Sequence, residues 1–231
     1  MKTLYFDLVG GISGDMINAS LLDISKDIKY LKKELAKIKI DRYKLSCVQK
    51  QAGHIKALGF EVTDKAKKNR IFQYDEIRRR ISSSSLAPRV RNRILSIYSK
   101  LLNAEKRAHR TNKVHFHQIG EVDSFLDIAS ACILIDKLGV SQVLYSSIPF
   151  GEKVAPATAY LIESKDIHFS GHDYENITPT GVAIVTTIGK QAPKSCKNKF
   201  RVEAVGYGAG TVTRSHDYTS NILRALLLKK K

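Results

Sequence analysis

The sequence predicts an α/β (or α+β) fold: a mixed sheet with packed helices, closed by a C-terminal antiparallel hairpin. Three observations predict it. Short apolar runs bounded by turn residues alternate with segments of helical periodicity. The segment Ser124–Leu138 is apolar on most of its sides, as a buried helix is. Near the end, two strand-like runs flank a glycine-rich stretch.

The elements follow in order. Thr3–Leu8 reads as a buried strand, followed by a turn through Gly10, Gly11 and Gly14 and a helix to about Ile24, with Ser13 placed to cap it. A second helix from Ser25 carries Ile28, Leu31, Leu35 and Ile38 on one face. Tyr43–Gln51 and Gly59–Asp64 form an antiparallel pair that turns at Gly53. Helices follow over Gln73–Ser82 and Pro88–His109, separated by the Ser82–Ser85 run. Val114–His117 and Val143–Pro149 read as strands. Pro156 and Pro179 stand where helices start, and Thr178 is a fitting N-cap. The hairpin runs from Phe200–Val205 through a turn at Gly206–Gly210 to Asn221–Leu228. There is no internal repeat and no linker, so residues 1–231 form a single module.

Hydrophobic residues make up 43% of the 231, enough for an ample core and too many for a disordered chain. No apolar run reaches the ~20 residues of a membrane span, and the start has no signal-peptide pattern. Three scattered cysteines give neither a disulfide framework nor a CxxC zinc site, which points to the cytoplasm. Thirty-nine basic against twenty-two acidic residues leave a net charge of +17. Such charge attracts anions, although the basic residues are spread along helices and are not interleaved with aromatics as on a nucleic-acid platform.

Four segments could carry chemistry. In Phe6-Asp7-Leu8-Val9-Gly10-Gly11-Ile12-Ser13-Gly14-Asp15-Met16 a strand opens into a helix N-terminus, whose free N–H groups and dipole favour an anion. Asp7 and Asp15 could hold Mg²⁺ or a water there; a plain tight turn explains the same residues. In Val114-His115-Phe116-His117-Gln118-Ile119-Gly120-Glu121-Val122-Asp123, a strand would put both imidazoles on one side. Glu121 and Asp123 could return over them after Gly120, and imidazole with carboxylate accepts nickel, copper, zinc or iron. Asp127, one turn beyond Asp123, would stand behind the ligands, and helix capping by Asp123 or Ser124 is the plainer alternative. Thr178-Pro179-Thr180-Gly181 is a second anion seat or simply a cap. Gly206-Tyr207-Gly208-Ala209-Gly210 is a ligand approach or a bulged hairpin.

In this order, Gly11–Met16, His115–Ser124, Thr178–Gly181, Gly206–Thr211 and Asn221–Arg224 resemble the LarC nickel-insertion family. That resemblance implies insertion of Ni²⁺ into pyridinium-3,5-bisthiocarboxylic acid mononucleotide, forming one carbon–nickel and two sulfur–nickel bonds in a reaction driven by CTP hydrolysis. From the helix N-termini, nucleotide contacts are expected at Gly11, Ser13, Gly14, Asp15, Thr178 and Thr180; from geometry and ligand preference, nickel ligands are expected at His115, His117, Glu121 and Asp123. The catalytic candidates are Asp15, Glu121 and Asp123, since forming a metal–carbon bond on the ring requires a base for its proton. The family continues into a C-terminal half associated with CTP and Mg²⁺ or Mn²⁺. The expectation is therefore a front half served by a separate C-terminal partner chain, with homo-oligomerisation left open. Departures from the family pattern are Gly10 for Ser, Gln118 for Glu, no histidines before the Gln73 helix, and a shortened stretch between Gly151 and Ala155. A non-catalytic nickel-binding or storage module, and a nucleotide- or nucleic-acid-binding protein on the same scaffold, are the alternatives.

Overall fold

In the structure, a computed structural model, β1 (Lys2–Asp7) is an interior strand of the sheet and leads into α1 (Gly14–Ser25) and α2 (Ile28–Leu35). A hairpin, β2 (Tyr43–Ala52) and β3 (Ile55–Asp64), precedes three helices: α3 (Tyr74–Ser83), α4 (Pro88–His109) and α5 (Val122–Lys137). The chain continues through β4 (Gln142–Tyr145), β5 (Ile148–Phe150), α6 (Pro156–Leu161), β6 (Ile167–Phe169) and α7 (Pro179–Ile188). It ends on β7 (Lys190–Gln191), β8 (Phe200–Ala209) and β9 (Ile222–Lys230). The residues described are 1–52, 54–67, 69–171, 173–193, 199–210 and 221–231.

Seven strands form one mixed sheet in the order β2-β3-β8-β9-β1-β4-β7, and β5 and β6 form a separate parallel pair. β1 lies parallel to β4, with Leu4 opposite Val143, and antiparallel to β9, with Phe6 opposite Ala225. The α/β class therefore holds, and so does the C-terminal antiparallel hairpin of β8 and β9. Helix starts and stops obey the local chemistry. Pro88, Pro156 and Pro179 occupy first-turn positions, where a missing N–H costs nothing. The Thr178 hydroxyl caps α7, accepting from Gly181 N at 3.2 Å. α1 is buried on all sides over Met16–Leu22, between the sheet and α5.

Three segments differ from the sequence reading. Val143–Pro149 is not one strand: it breaks at Ser146, whose hydroxyl accepts from Leu8 N at 3.0 Å, and the chain crosses into the second sheet. Val114–His117 joins no ladder; the Gln73 side chain takes the place of a neighbouring strand. Its amide oxygen accepts from Phe116 N at 2.9 Å, and its amide nitrogen donates to Phe116 O at 3.2 Å. Gly206 and Gly208 lie inside β8 rather than in a turn, since α1 crosses the strand there too closely for a side chain. The turn expected at Gly53 lies outside the described residues, as do His172, Cys196, Thr211 and His216.

Candidate functional site

The glycine-rich loop after β1 is stitched to the segment before α7. Ile12 N donates to Asn176 O at 2.8 Å and Thr178 N to Ile12 O at 2.9 Å, a two-bond parallel bridge. Gly11 has φ +138°, a conformation that favours glycine, and a side chain on it would overlap the Asn176 carbonyl. A Cβ on Gly181 would come within 2.7 Å of Ser13 Cα. The N-termini of α1 and α7 therefore stand side by side.

The N-terminus of α5 joins them. It is set by the turn Gln118–Gly120, where Gly120 O accepts from Phe72 N at 2.7 Å and the Ser124 hydroxyl donates to Gln118 O at 2.9 Å. Behind that turn Phe72, Tyr98, Phe116 and Phe125 pack edge-to-face or stacked at 5.4–6.1 Å between centroids, fixing α4 and α5 together.

All three N-termini open onto a cavity of about 490 Å³. Its walls include Ser13, Gly14 and Asp15 from α1, Gln118, Asp123, Ser124 and Asp127 from the α5 end, and Asn176, Thr178 and Thr180 from the α7 end. Phe60–Thr63 of β3, Gly210 and Asn221 complete it. Helix N-termini present N–H groups and positive dipole ends, so the cavity favours anionic oxygen. Yet its charged lining residues are all acidic: Asp15, Glu61, Asp123, Asp127 and Glu175. The nearest positive charge stands behind the wall, where Lys50 Nζ lies 3.7 Å from Glu61 and donates to Gly210 O at 3.2 Å. Amide dipoles and carboxylates meet in one space, which suits an anion and a cation bound together.

The carboxylates are not equivalent. Asp15 accepts from the Ser13 hydroxyl and from Met16 N at 2.9 Å, so Ser13 occupies the cap position without capping α1. Burial raises the Asp15 pKa against those hydrogen bonds. Asp127 is held well above the usual carboxylate range, first by burial and then by the charges of Asp15 and Asp123, against a hydrogen bond from Asn18 at 3.2 Å. A Cβ on Gly14 would lie 2.6 Å from Asp127 Oδ2, so the contact of α1 with α5 depends on glycine there. Glu121 is raised too, by burial and by Asp123. A raised carboxyl in a cleft is a proton-handling candidate.

Of the nucleotide candidates, Ser13, Gly14, Asp15, Thr178 and Thr180 line the cavity, and Gly11 shapes the loop beneath it. Asp123 lines it from the α5 end, and Glu121 sits at the N-cap position beside it. His115 and His117 are both exposed on either side of buried Phe116 and do not line the cavity. Among the described residues no three His, Cys, Asp or Glu side chains gather closely enough to hold an ion. Asp7, the other proposed ion ligand, instead takes an ion pair and hydrogen bonds from Arg224. Sequence reasoning undervalued Asp127 and missed Asn176. The signal for Asp127 was available, since it is the one charged residue in the apolar run Phe125–Ile135.

The nickel insertion protein family model matches residues 4–231. A relative from Geotalea uraniireducens named "Putative nickel insertion protein" is 34% identical over 246 residues, covering 100% of this chain and 62% of its own length. One of the same name from Syntrophobacter fumaroxidans is 35% identical, covering 91% of this chain and 57% of its own length. A third, from Akkermansia muciniphila, is named pyridinium-3,5-bisthiocarboxylic acid mononucleotide nickel insertion protein; it is 33% identical over 99% of this chain and 61% of its own length. The chain thus spans about 60% of the length of the curated relatives it matches. No solved structure matches it. No helix of the described residues is long and apolar enough to cross a membrane. On the family match and these relatives together, the chain belongs to the nickel insertion protein family.

Proposed function

We propose that this chain binds pyridinium-3,5-bisthiocarboxylic acid mononucleotide in the cavity and carries the nickel to it, as the nucleotide- and metal-handling part of a nickel insertion protein. The observation that carries this reading is the convergence of three helix N-termini with Asp15, Asp123 and Asp127 on one 490 Å³ space. The phosphate sits against the N-termini of α1 and α7, near Thr178 and Thr180. Nickel, the cargo of the reaction, is picked up by the exposed His115 and His117 and handed to the α5 end through Glu121 and Asp123. Asp127 takes the ring proton released when the carbon–nickel bond forms, its raised pKa making it a stronger base than an ordinary carboxylate. CTP hydrolysis, with Mg²⁺ or Mn²⁺, is assigned to a further segment or partner chain corresponding to the part of the relatives outside the match.

Calorimetry tests the nucleotide half. Gly14→Val drives a side chain onto the Asp127 carboxylate, and affinity for the pyridinium mononucleotide should fall at least about tenfold, the worth of ~1.4 kcal/mol. Unchanged affinity in the folded variant would place the nucleotide elsewhere. The nickel half has a separate readout. His115→Ala with His117→Ala should remove most nickel uptake while leaving mononucleotide affinity intact. Wild-type nickel affinity in the double variant would rule the two histidines out.

A further inference from the structure

α7 reaches the cavity with its N-terminus; its other end faces a second hollow of about 540 Å³, lying between α7 and α4. The α4 wall is Arg89, Asn92, Arg93 and Ser96, and the α7 wall is Thr187 and Ile188. The four α4 residues are spaced i, i+3, i+4 and i+7, one stripe of the helix. This stripe is distinct from the apolar one of Val90, Ile94, Ile97 and Leu101 that faces the core. Basic and polar side chains thus occupy ground between two packed helices.

Two polar atoms in the hollow are buried without a hydrogen-bond partner, one from each wall: Arg93 Nη1 and Thr187 Oγ1. Buried donors are nearly always paired, and leaving a charged one unpaired is costly. Asp136 of α5 does not meet the need. It pairs with Arg89 Nε and lies 3.8 Å from Arg93 Nη1, beyond hydrogen-bond reach. Two guanidinium groups share one carboxylate there, leaving a positive charge in surplus. Nor does α7 use these donors at its end: the next basic residue along α4, Lys100, already donates to Thr186 O at 3.0 Å and to Thr186 Oγ1 at 2.8 Å.

We propose that this hollow is an oxyanion site of the phosphate class, formed by Arg89 and Arg93 from one wall and the Thr187 hydroxyl from the other. Asn92 and Ser96 line it between them. A tetrahedral oxyanion seated between the walls offsets the surplus charge, and it gives the two orphan atoms acceptors once their side chains turn toward it. The guanidinium fork fits its oxygens in a way that an ammonium would not. The site is independent of the nucleotide cavity and stands or falls separately from the function proposed above.

The test titrates the full chain with inorganic phosphate, pyrophosphate and a ribonucleoside monophosphate, following the guanidinium resonances of arginine by NMR. Saturable shifts of Arg89 and Arg93 are expected. Whichever of the three binds most tightly identifies whether the phosphate is free or carried on a nucleotide. Arg93→Met should weaken binding about tenfold, the worth of one charge-assisted hydrogen bond. Thr187→Val should weaken it less. Asp136→Asn should tighten it, because the competing carboxylate is removed, and this variant decides the matter if Arg93→Met fails to fold. Absence of saturable shifts would overturn the proposal. So would an affinity unchanged by Arg93→Met, or an Asp136→Asn variant that binds no more tightly.

Discussion

Asp127→Asn is expected to give a protein that is more stable at neutral pH and impaired in nickel insertion. The carboxyl opens onto the cavity but is otherwise enclosed by α1 and α5, and burial with the charges of Asp15 and Asp123 holds its pKa well above the usual range. An acid of this kind keeps its proton in the folded chain at pH values where the unfolded chain has lost it. Its stabilising share is complete below the ordinary carboxylate pKa of about 3.9 and is lost as pH rises to the folded value. Above that, a constant penalty remains. Asparagine cannot ionise, and it retains an oxygen to accept from Asn18 Nδ2. The variant should therefore lack the decline and gain about 1–2 kcal/mol at neutral pH, or roughly 3–6 °C in Tm. Insertion should slow by about 10²-fold or more, the usual loss when a proton-transfer group is removed. A variant no more stable than the parent would show that Asp127 carries no such penalty. One as active as the parent would exclude it as the base.

The candidate site was only partly legible in the sequence. The loop Gly10–Asp15 and the Thr178–Gly181 cap could be read directly, because glycine before a helix and Thr-Pro at its start are local signals. Their meeting could not, since it depends on Ile12 bonding to Asn176 and Thr178 across more than 160 residues of chain. His115 and His117 were read as facing strand residues on the strength of the two-residue period. Exposure does alternate, with His115 and His117 exposed and Phe116 buried, but a glutamine side chain and not a strand holds the backbone. Similarly, +17 in composition is compatible with an acid-lined cavity, because net charge does not fix where charges stand.

The fold was more legible than the site, and its misreadings have physical causes. The bounds of α4, Pro88–His109, were recoverable because a long amphipathic helix starting at proline leaves little freedom. The apolar run through Val143–Pro149 hides a change of sheet, which rests on one hydroxyl of Ser146 meeting Leu8 N. Gly206 and Gly208 look like turn residues in a one-dimensional reading, since glycine is normally depleted from strands. Only the path of α1 across β8 explains them.

Gly208→Val follows from that path and should be among the most damaging single substitutions outside the cavity. β8 pairs with β3 through Leu58 opposite Gly208 and with β9 through Leu223, so the position is held from both sides of the sheet. A Cβ at Gly208 would overlap the Met16 carbonyl oxygen and press on Ser20 N, both backbone atoms of a helix buried between the sheet and α5. Backbone cannot rotate away as a side-chain tip can, so α1 must lift from the sheet or β8 must break its pairing. Either exposes part of the apolar packing of Met16, Ile17 and Leu21, all at most 1% exposed. A cost on the order of 3–5 kcal/mol is expected, at the upper end for a point change, lowering Tm by roughly 10 °C or more. Gly139→Ala is the matched control. Gly139 has φ +64° with open space around its Cβ position, so alanine there should cost only about 1 kcal/mol of backbone strain. Because α1 carries Gly14 and Asp15 into the cavity, a Gly208→Val protein that still folds should also lose mononucleotide affinity. Equal Tm values for the two variants would mean that α1 does not rest on β8 as described.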